Sequence, residues 1–115
     1  MENEIKVIKV EENPAMEVPG HTVCTGKEIA GELLGIDQYA LKIGFFGNGG
    51  VSSEHEHHGE HVFYILEGAL SVIAHGKTYT AKKGEALFVP PDIPHSSKNA
   101  FDGQTTYIAL TIPPS

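Results

Sequence analysis

Four of the seven histidines of this 115-residue chain lie in one short run, His55-Glu56-His57-His58-Gly59-Glu60-His61. The residues that follow are apolar and mostly β-branched or aromatic as far as Gly68, which predicts a strand ending in a turn. Side chains alternate between the two faces of an extended segment, so His55, His57 and His61 are predicted to share one face. His58 has the opposite parity and is predicted to point away. Three neutral imidazoles on one face would suit zinc, copper, iron or nickel.

Two other interpretations of this histidine run have less support. A purification tag would stand at a terminus, whereas the run is internal. A solvated acidic loop stays open as an alternative, but the apolar strand predicted to follow the run argues against it. The chemistry of the cluster therefore favours a metal site.

A second stretch supplies a further histidine. Residues 84–95 contain a glycine turn, a short apolar strand and a proline-rich turn ending at His95. Together the two stretches resemble the two motifs of the cupin superfamily, and the spacing agrees at every motif position. The residues matching the first motif, G-x5-H-x-H-x3-E-x6-G, are Gly49, His55, His57, His61 and Gly68. Those matching the second motif, G-x5-P-x-G-x2-H-x3-N, are Gly84, Pro90, Asp92, His95 and Asn99.

The chain departs from these motifs at two positions. Asp92 stands where the second motif has glycine, and Asp enters the left-handed backbone region more easily than most residues. His61 stands where the first motif has a metal-binding glutamate. The resulting set, His55, His57, His61 and His95, is similar to that of small single-domain bacterial cupins of the cupin 2 type. Those proteins bind manganese or another divalent metal through four histidines.

The resemblance implies one divalent metal ion per chain, and the residues do not specify whether it is Mn, Fe, Zn, Ni or Cu. Four neutral imidazoles leave the full charge on the ion, so a small anionic ligand such as an enolate, phenolate or carboxylate is predicted. An octahedral ion would keep open positions, whereas a tetrahedral zinc ion would keep none. Three interpretations stay open: a metal-dependent oxidoreductase, dioxygenase-like, acting on a small enolic or aromatic compound; a non-catalytic metal-dependent binding or sensing module; and a structural metal site.

The resemblance also implies which side chains line the cavity around the metal. Lys42 matches a basic cavity residue of the four-histidine cupins, with a place in solvent as the alternative. Phe63 shares the parity of the histidines. Tyr107, Ala109 and Thr111 fall on the cavity-lining face of the last strand. No catalytic residue beyond the metal ligands is predicted, because the nearby glutamates have the opposite parity and are expected in solvent.

Composition predicts an all-β protein. Thirteen glycines and seven prolines divide the chain into short segments. About ten short strands without a long helix predict a double-stranded β-helix, the jelly-roll barrel, and the cupin resemblance implies the same fold. The chain is predicted to be a single domain, residues 1–115, with a core barrel at about 39–112 and an N-terminal strand and connection at 1–38.

Several segments carry local expectations. Residues 4–10 predict a first strand. Residues 27–34 would suit one or two helical turns by propensity, but Gly26, Gly31 and Gly35 weaken that prediction, and the cupin resemblance favours strand and turn. Residues 39–46 predict a strand with one apolar face. His21 and His75 lie away from both motifs and are expected to be ordinary solvated histidines.

Charge and composition also exclude classes of partner. The net charge of the chain is −7, so no basic patch that could bind nucleic acid is expected. No apolar run is long enough to span a bilayer and no signal-like N-terminus is present, so a cytoplasmic location is expected. Cys24, the single cysteine, cannot form an internal disulfide and is expected to be a small buried side chain.

Residues 62–66 are apolar on both faces of the predicted strand, although a barrel has only one interior. A homodimer is therefore expected, in which a second copy covers the outer face.

Overall fold

The computed structural model describes residues 4–114, which form nine β-strands and two short 3-10 helices. The strands are β1 (Met16–Glu17), β2 (Cys24–Ala30), β3 (Ala40–Phe46), β4 (Glu60–Glu67), β5 (Ala69–Ala74), β6 (Lys77–Lys82), β7 (Ala86–Val89), β8 (Ser96–Asn99) and β9 (Thr105–Ile112). The 3-10 helices are Val10–Glu12 and Glu32–Leu34. No helix in this part of the chain is long and apolar enough to cross a membrane.

The strands form two antiparallel sheets that enclose one core. The larger sheet has the order β1-β2-β3-β9-β4-β7, and the smaller sheet has the order β6-β5-β8. The side chains buried between them include Phe46, Ile65, Leu70, Val72 and Tyr107. Burial of these apolar groups between two sheet faces stabilises the arrangement. The result is the jelly-roll fold that the sequence predicts.

The register of the larger sheet decides which side chains face the barrel interior. Residues paired across neighbouring strands lie on the same face of a sheet. On β9 the interior face is the one that carries Tyr107, which is buried. Ala109 shares that face and pairs with Phe63 of β4 on one side and with Lys42 of β3 on the other. These three residues therefore form one interior-facing row, next to the row of Tyr107.

A glycine lets the Tyr107 ring lie across β3. A Cβ atom added to Gly44 would overlap the ring of Tyr107. The tyrosine hydroxyl then reaches Cys24, whose Sγ lies 3.5 Å from the hydroxyl oxygen. Burial raises the pKa of both groups, so both stay protonated at neutral pH. Cys24 is the small buried side chain that the sequence predicts.

Most of the local expectations are confirmed. The strand predicted at 39–46 is β3, and residues 27–34 are the end of β2 followed by a 3-10 turn. Asp92 has a φ of 61°, so it occupies the left-handed region that its place in the motif requires. His75 lies exposed at the turn between β5 and β6, with a φ of 53°.

The prediction of a strand at residues 4–10 is wrong. Residues 4–9 have no regular secondary structure, and a 3-10 helix begins at Val10. Ile5 is 100% exposed and Val7 is 92% exposed. β-Branched residues favour a strand only where a neighbouring strand can pair with them, and the described part of this chain pairs none with this segment.

Candidate metal centre

The two histidine-bearing stretches meet through backbone pairing. The amide of His55 donates to the carbonyl of His95 at 2.9 Å, and the amide of His95 donates to the carbonyl of His55 at 2.9 Å. The carbonyl of His57, in the loop between β3 and β4, accepts from the amide of Asp92 at 2.9 Å. The first and second motifs are thereby joined at one end of the barrel.

This pairing corrects the route by which the histidines were expected to converge. The sequence predicts that alternation along one extended segment places His55, His57 and His61 together. In the structure only His61 belongs to a strand, as the second residue of β4, while His57 lies in the loop. His55 makes an isolated bridge with His95 instead. The residues do come together, but the chain brings them there by a loop and a cross-strand bridge.

Backbone carbonyls orient three of the imidazole rings. The Nδ1 atom of His55 lies 2.9 Å from the carbonyl oxygen of Ser53, and that of His95 lies 2.8 Å from the carbonyl oxygen of Ile93. The Nδ1 atom of His57 lies 3.2 Å from the carbonyl oxygen of Gly59. A carbonyl oxygen only accepts, so each Nδ1 carries the proton and each Nε2 keeps its lone pair. Such hydrogen bonds fix the tautomer and ring orientation of metal-binding histidines.

The free nitrogens converge on one point. His55, His57 and His95 each offer a ring nitrogen within 4.8 Å of the others. A metal–nitrogen bond of about 2.1 Å would place opposite ligands about 4.2 Å apart and ligands at right angles about 3.0 Å apart. The spacing of the three rings therefore fits a shared metal ion after small side-chain adjustments.

His61 lies against this group through His57. Its Nε2 atom is 2.7 Å from Nε2 of His57, close to the distance between ligands at right angles. Its Nδ1 atom is 2.9 Å from the hydroxyl oxygen of Thr111. Because a hydroxyl both donates and accepts, Thr111 accommodates either tautomer of the His61 ring.

The electrostatic environment favours neutral imidazoles. Burial, together with the neighbouring rings of His57, His95, His55 and His21, lowers the pKa of His61 to about 3. Burial also lowers the pKa of His95, with His55 and His57 adding to the effect. Neutral imidazole is the form that binds metal, so these two residues are ready to act as ligands at neutral pH.

Two of the residues predicted to line the cavity, Phe63 and Thr111, lie against His61. The ring centroid of Phe63 is 5.2 Å from that of His61 and 5.7 Å from that of Tyr107. Ala109 packs against the core cluster, and Thr111 contacts His61 directly. Lys42 belongs to the interior-facing row but is exposed, and it pairs with Glu28 of β2 on one side and with Ala109 of β9 on the other.

His21 belongs to the surroundings of the cluster, and its assignment as an ordinary surface histidine remote from the motifs is wrong. Its ring centroid is 5.7 Å from that of His55 and 5.7 Å from that of Phe46. Its Nδ1 donates to the carbonyl of Pro19 at 2.9 Å, and its Nε2 is 3.3 Å from the hydroxyl of Ser97. Burial lowers its pKa. His21 belongs to neither motif, so nothing in the sequence predicts that its ring lies beside the histidine cluster.

The other two histidines lie outside the cluster, as predicted. His58 is exposed, and its Nδ1 is 3.6 Å from a carboxylate oxygen of Asp92. An exposed pair of this kind contributes little to stability. Glu54 and Glu56 are also exposed, in agreement with their expected place in solvent.

Comparisons with known structures agree with this fold. The polyketide cyclase RemF from Streptomyces resistomycificus superposes with a TM-score of 0.82 at 24% identity, covering 95% of this chain and 80% of that one. A predicted oxalate decarboxylase from Thermotoga maritima gives a TM-score of 0.79 at 18% identity, covering 94% of this chain and 99% of that one. At these identities the likeness shows the fold alone.

Sequence comparison identifies the family. An uncharacterized protein of Methanocaldococcus jannaschii is 30% identical over 61 residues, which make up 52% of this chain and 49% of that protein. The alignment thus spans about half the length of that relative. The family model described as Cupin domain, Cupin_2, matches residues 45–112, which include every motif histidine. The chain belongs to the Cupin_2 family of cupin domains.

Proposed function

We propose that this protein is a metal-dependent cupin that acts on a small anionic compound. The observation that carries the proposal is the convergence of ring nitrogens from His55, His57 and His95 within 4.8 Å. His61 completes the proposed ligand set, because its Nε2 lies 2.7 Å from that of His57. One divalent ion, Mn, Fe, Zn, Ni or Cu, would be held by these neutral ligands.

Bound there, the ion would act as a Lewis acid toward an anionic oxygen donor, because the imidazoles leave its charge uncompensated. The chain's own residues prepare the surroundings. Thr111 orients the His61 ring, and Phe63 and Tyr107 form an aromatic wall that excludes water. The ammonium group of Lys42, an exposed residue of the same interior-facing row, would attract an anion toward the site.

The reaction that we propose is oxidation of a small enolic or aromatic compound by dioxygen. An aromatic wall suits a flat, largely apolar substrate, and the donor set suits its ionised oxygen. The fold is shared with a polyketide cyclase, so a barrel of this type is able to house chemistry on a small molecule.

One observation favours a second candidate, a non-catalytic metal-dependent binding or sensing module. Among the described residues, the group that could hold a metal consists of histidines alone, and the nearby Glu54 and Glu56 are exposed. General acid–base catalysis needs a group positioned against the substrate. The cluster itself supplies none, which a binding module would not require.

Turnover distinguishes the two candidates. The protein is loaded with each metal in turn, and oxygen consumption is followed with a panel of diketones, flavonols, catechols and alkenylphenols. We expect consumption with at least one compound, its loss in His57→Ala, and its retention in His75→Ala, which alters an exposed turn histidine. Tight binding of ligands to the metal without turnover would replace the oxidoreductase with the binding module. A four-coordinate metal that takes no added ligand would overturn both.

A change of charge at His61 tests the proposed ligand set. His61→Glu is expected to retain a metal, because carboxylates also bind divalent cations. It should weaken the binding of azide to the metal, since the complex loses one unit of positive charge. We expect a rise of about 10-fold in the azide Kd, measured by absorption or EPR titration of the loaded protein, a factor that corresponds to about 1.4 kcal/mol.

The neutral substitution His61→Gln serves as the control for this test. It removes the imidazole without adding a negative charge, so it separates the electrostatic effect from loss of the ring. An azide affinity in His61→Glu equal to or tighter than that of the wild type would contradict the charge argument.

A further inference from the structure

A cavity of about 270 Å³ lies between the edges of the two sheets. β6 is the edge strand of the smaller sheet, and β7 is an edge strand of the larger one. The walls of the cavity include Val72 of β5, Tyr79 of β6, Leu87 and Val89 of β7, and Ile93 of the loop that follows β7. The side chains that the cupin resemblance assigns to the surroundings of the metal are not among its lining residues. We therefore treat it as a separate space and call it the side cavity.

Strand pairing and one hydrogen bond place the side cavity beside the candidate metal centre. Val89 of β7 pairs with His61 of β4. Residues paired in this way share a face of the sheet, with Cβ atoms about 5 Å apart. The carbonyl oxygen of Ile93 lies 2.8 Å from Nδ1 of His95 and accepts its hydrogen. Two wall residues of the side cavity are therefore immediate neighbours of two proposed metal ligands.

The walls of the side cavity select against charge. None of the lining residues has a carboxylate or an ammonium group. Val72 and Val89 are buried, whereas Tyr79 and Phe88 are exposed and form the rim. Burying a charged group against such walls is costly, whereas each buried methylene raises the affinity by a factor of about four. The side cavity therefore suits an uncharged apolar group.

The volume of the side cavity limits the size of that group. An apolar cavity of about 150 Å³ is large enough to bind benzene, and the side cavity has a volume of about 270 Å³. Pockets that hold a complete drug-sized ligand usually measure about 300–1,000 Å³. The side cavity therefore has room for one part of a small molecule, such as a short alkyl or alkenyl chain.

We infer that the side cavity holds an uncharged apolar substituent of the substrate, whose ionised oxygen lies at the metal. The inference rests on the proposed function and narrows its substrate class to phenols or enols that carry a short apolar chain. The position of the side cavity next to His61 and His95 favours a part of the same molecule over an unrelated ligand. The substrate would thus be recognised at two points, by charge at the metal and by apolar contact between β6 and β7.

Phenols that differ only in a chain test the side cavity directly. Phenol and para-propylphenol are titrated into the zinc-loaded and the metal-free protein, and backbone amide shifts in NMR spectra give each Kd. The buried propyl chain should lower the Kd by about 10-fold or more relative to phenol in both forms. The analogue para-hydroxyphenylpropionate, whose chain ends in a carboxylate, should bind no more tightly than phenol. Equal Kd values for phenol and para-propylphenol in both forms would overturn the inference.

Zinc separates this inference from the proposed function. If the phenol oxygen binds the metal, zinc should lower the Kd of both phenols and leave the ratio between them unchanged. Zinc without effect on either Kd would contradict the proposed role of the metal, while the preference for the propyl chain would still support the side cavity. A zinc effect without any preference for the chain would contradict the side cavity alone.

Two tyrosines provide a matched pair of variants. Tyr79, at the rim of the side cavity, and Tyr64, which does not line it, are each 44% exposed. Tyr79→Ala should raise the Kd of para-propylphenol by about 5-fold, with the Kd of phenol changed by less than about 2-fold. Tyr64→Ala should leave both values unchanged. Equal effects of the two substitutions on para-propylphenol would contradict the assignment of the chain to this cavity.

A substitution that fills the side cavity guards against an indirect effect of Tyr79→Ala. Ala74 lines the cavity and is half-buried, whereas Ala100 is exposed and lies outside it. Ala74→Phe should reduce the preference for para-propylphenol over phenol to about 2-fold or less, because the new ring occupies the space of the chain. Ala100→Phe should keep the preference of the wild type. An Ala74→Phe protein with the full preference would place the propyl chain elsewhere and overturn the inference.

Discussion

His95→Ala is expected to abolish stoichiometric metal binding. His95 is 3% exposed, its ring is held by the carbonyl of Ile93, and its backbone pairs with His55. Alanine removes one of the three converging nitrogens. Loss of outer hydrogen bonds alone costs about 10- to 100-fold in metal affinity. Loss of a ligand should therefore raise the metal Kd by about 100-fold or more.

The measurement is metal content by elemental analysis after dialysis, followed by calorimetric titration. His57→Ala should behave in the same way, because its nitrogen belongs to the same group. His75→Ala is the matched control, since that histidine is exposed at a turn between β5 and β6. We expect about one ion per chain in the wild type and in this control. Full occupancy in both His95→Ala and His57→Ala would exclude the proposed site.

The sequence predicts the identity of the converging residues better than the means by which they converge. The spacing of His55, His57 and His95 within two motifs was sufficient to select them. Strand alternation, however, describes only regular segments, and His57 lies in a loop. The contact between His55 and His95 joins residues 40 positions apart, and pairings of that separation are set by the closed barrel.

His21 and the N-terminal segment show where sequence reasoning fails. His21 reaches the cluster because residues 20–22 pair with residues 51–53, a contact that no local pattern encodes. Residues 4–10 are rich in β-branched residues, as a strand is, yet the described chain provides no neighbouring strand for them. Asp92 is the opposite case. Its left-handed backbone follows from local chemistry and its motif position, so it could be predicted without the fold.

Asn99, the last residue of the second motif, is a structural anchor in this protein. Its Nδ2 donates to the carbonyls of Phe46, Gly47 and Gly103 at 3.0, 2.9 and 2.7 Å. Its Oδ1 accepts from the amide of Phe101 at 3.0 Å and from the hydroxyl of Thr105 at 2.7 Å. One buried amide therefore ties the end of β3, the loop after β8 and the start of β9 together.

Asn99→Ala is expected to destabilise the fold by about 2–4 kcal/mol, because it leaves several buried polar groups without partners. Asn48→Ala is the control, since the exposed Asn48 makes only a 3.5 Å contact with Asp102 and should stay within about 0.5 kcal/mol of the wild type. Urea unfolding of the metal-free proteins measures both differences. Asn99→Asp has the same size but replaces the donor with an acceptor facing three carbonyls, so it should lose at least as much stability as alanine. An Asn99→Asp protein as stable as the wild type would show that side-chain volume, and not this hydrogen-bond network, is what position 99 contributes.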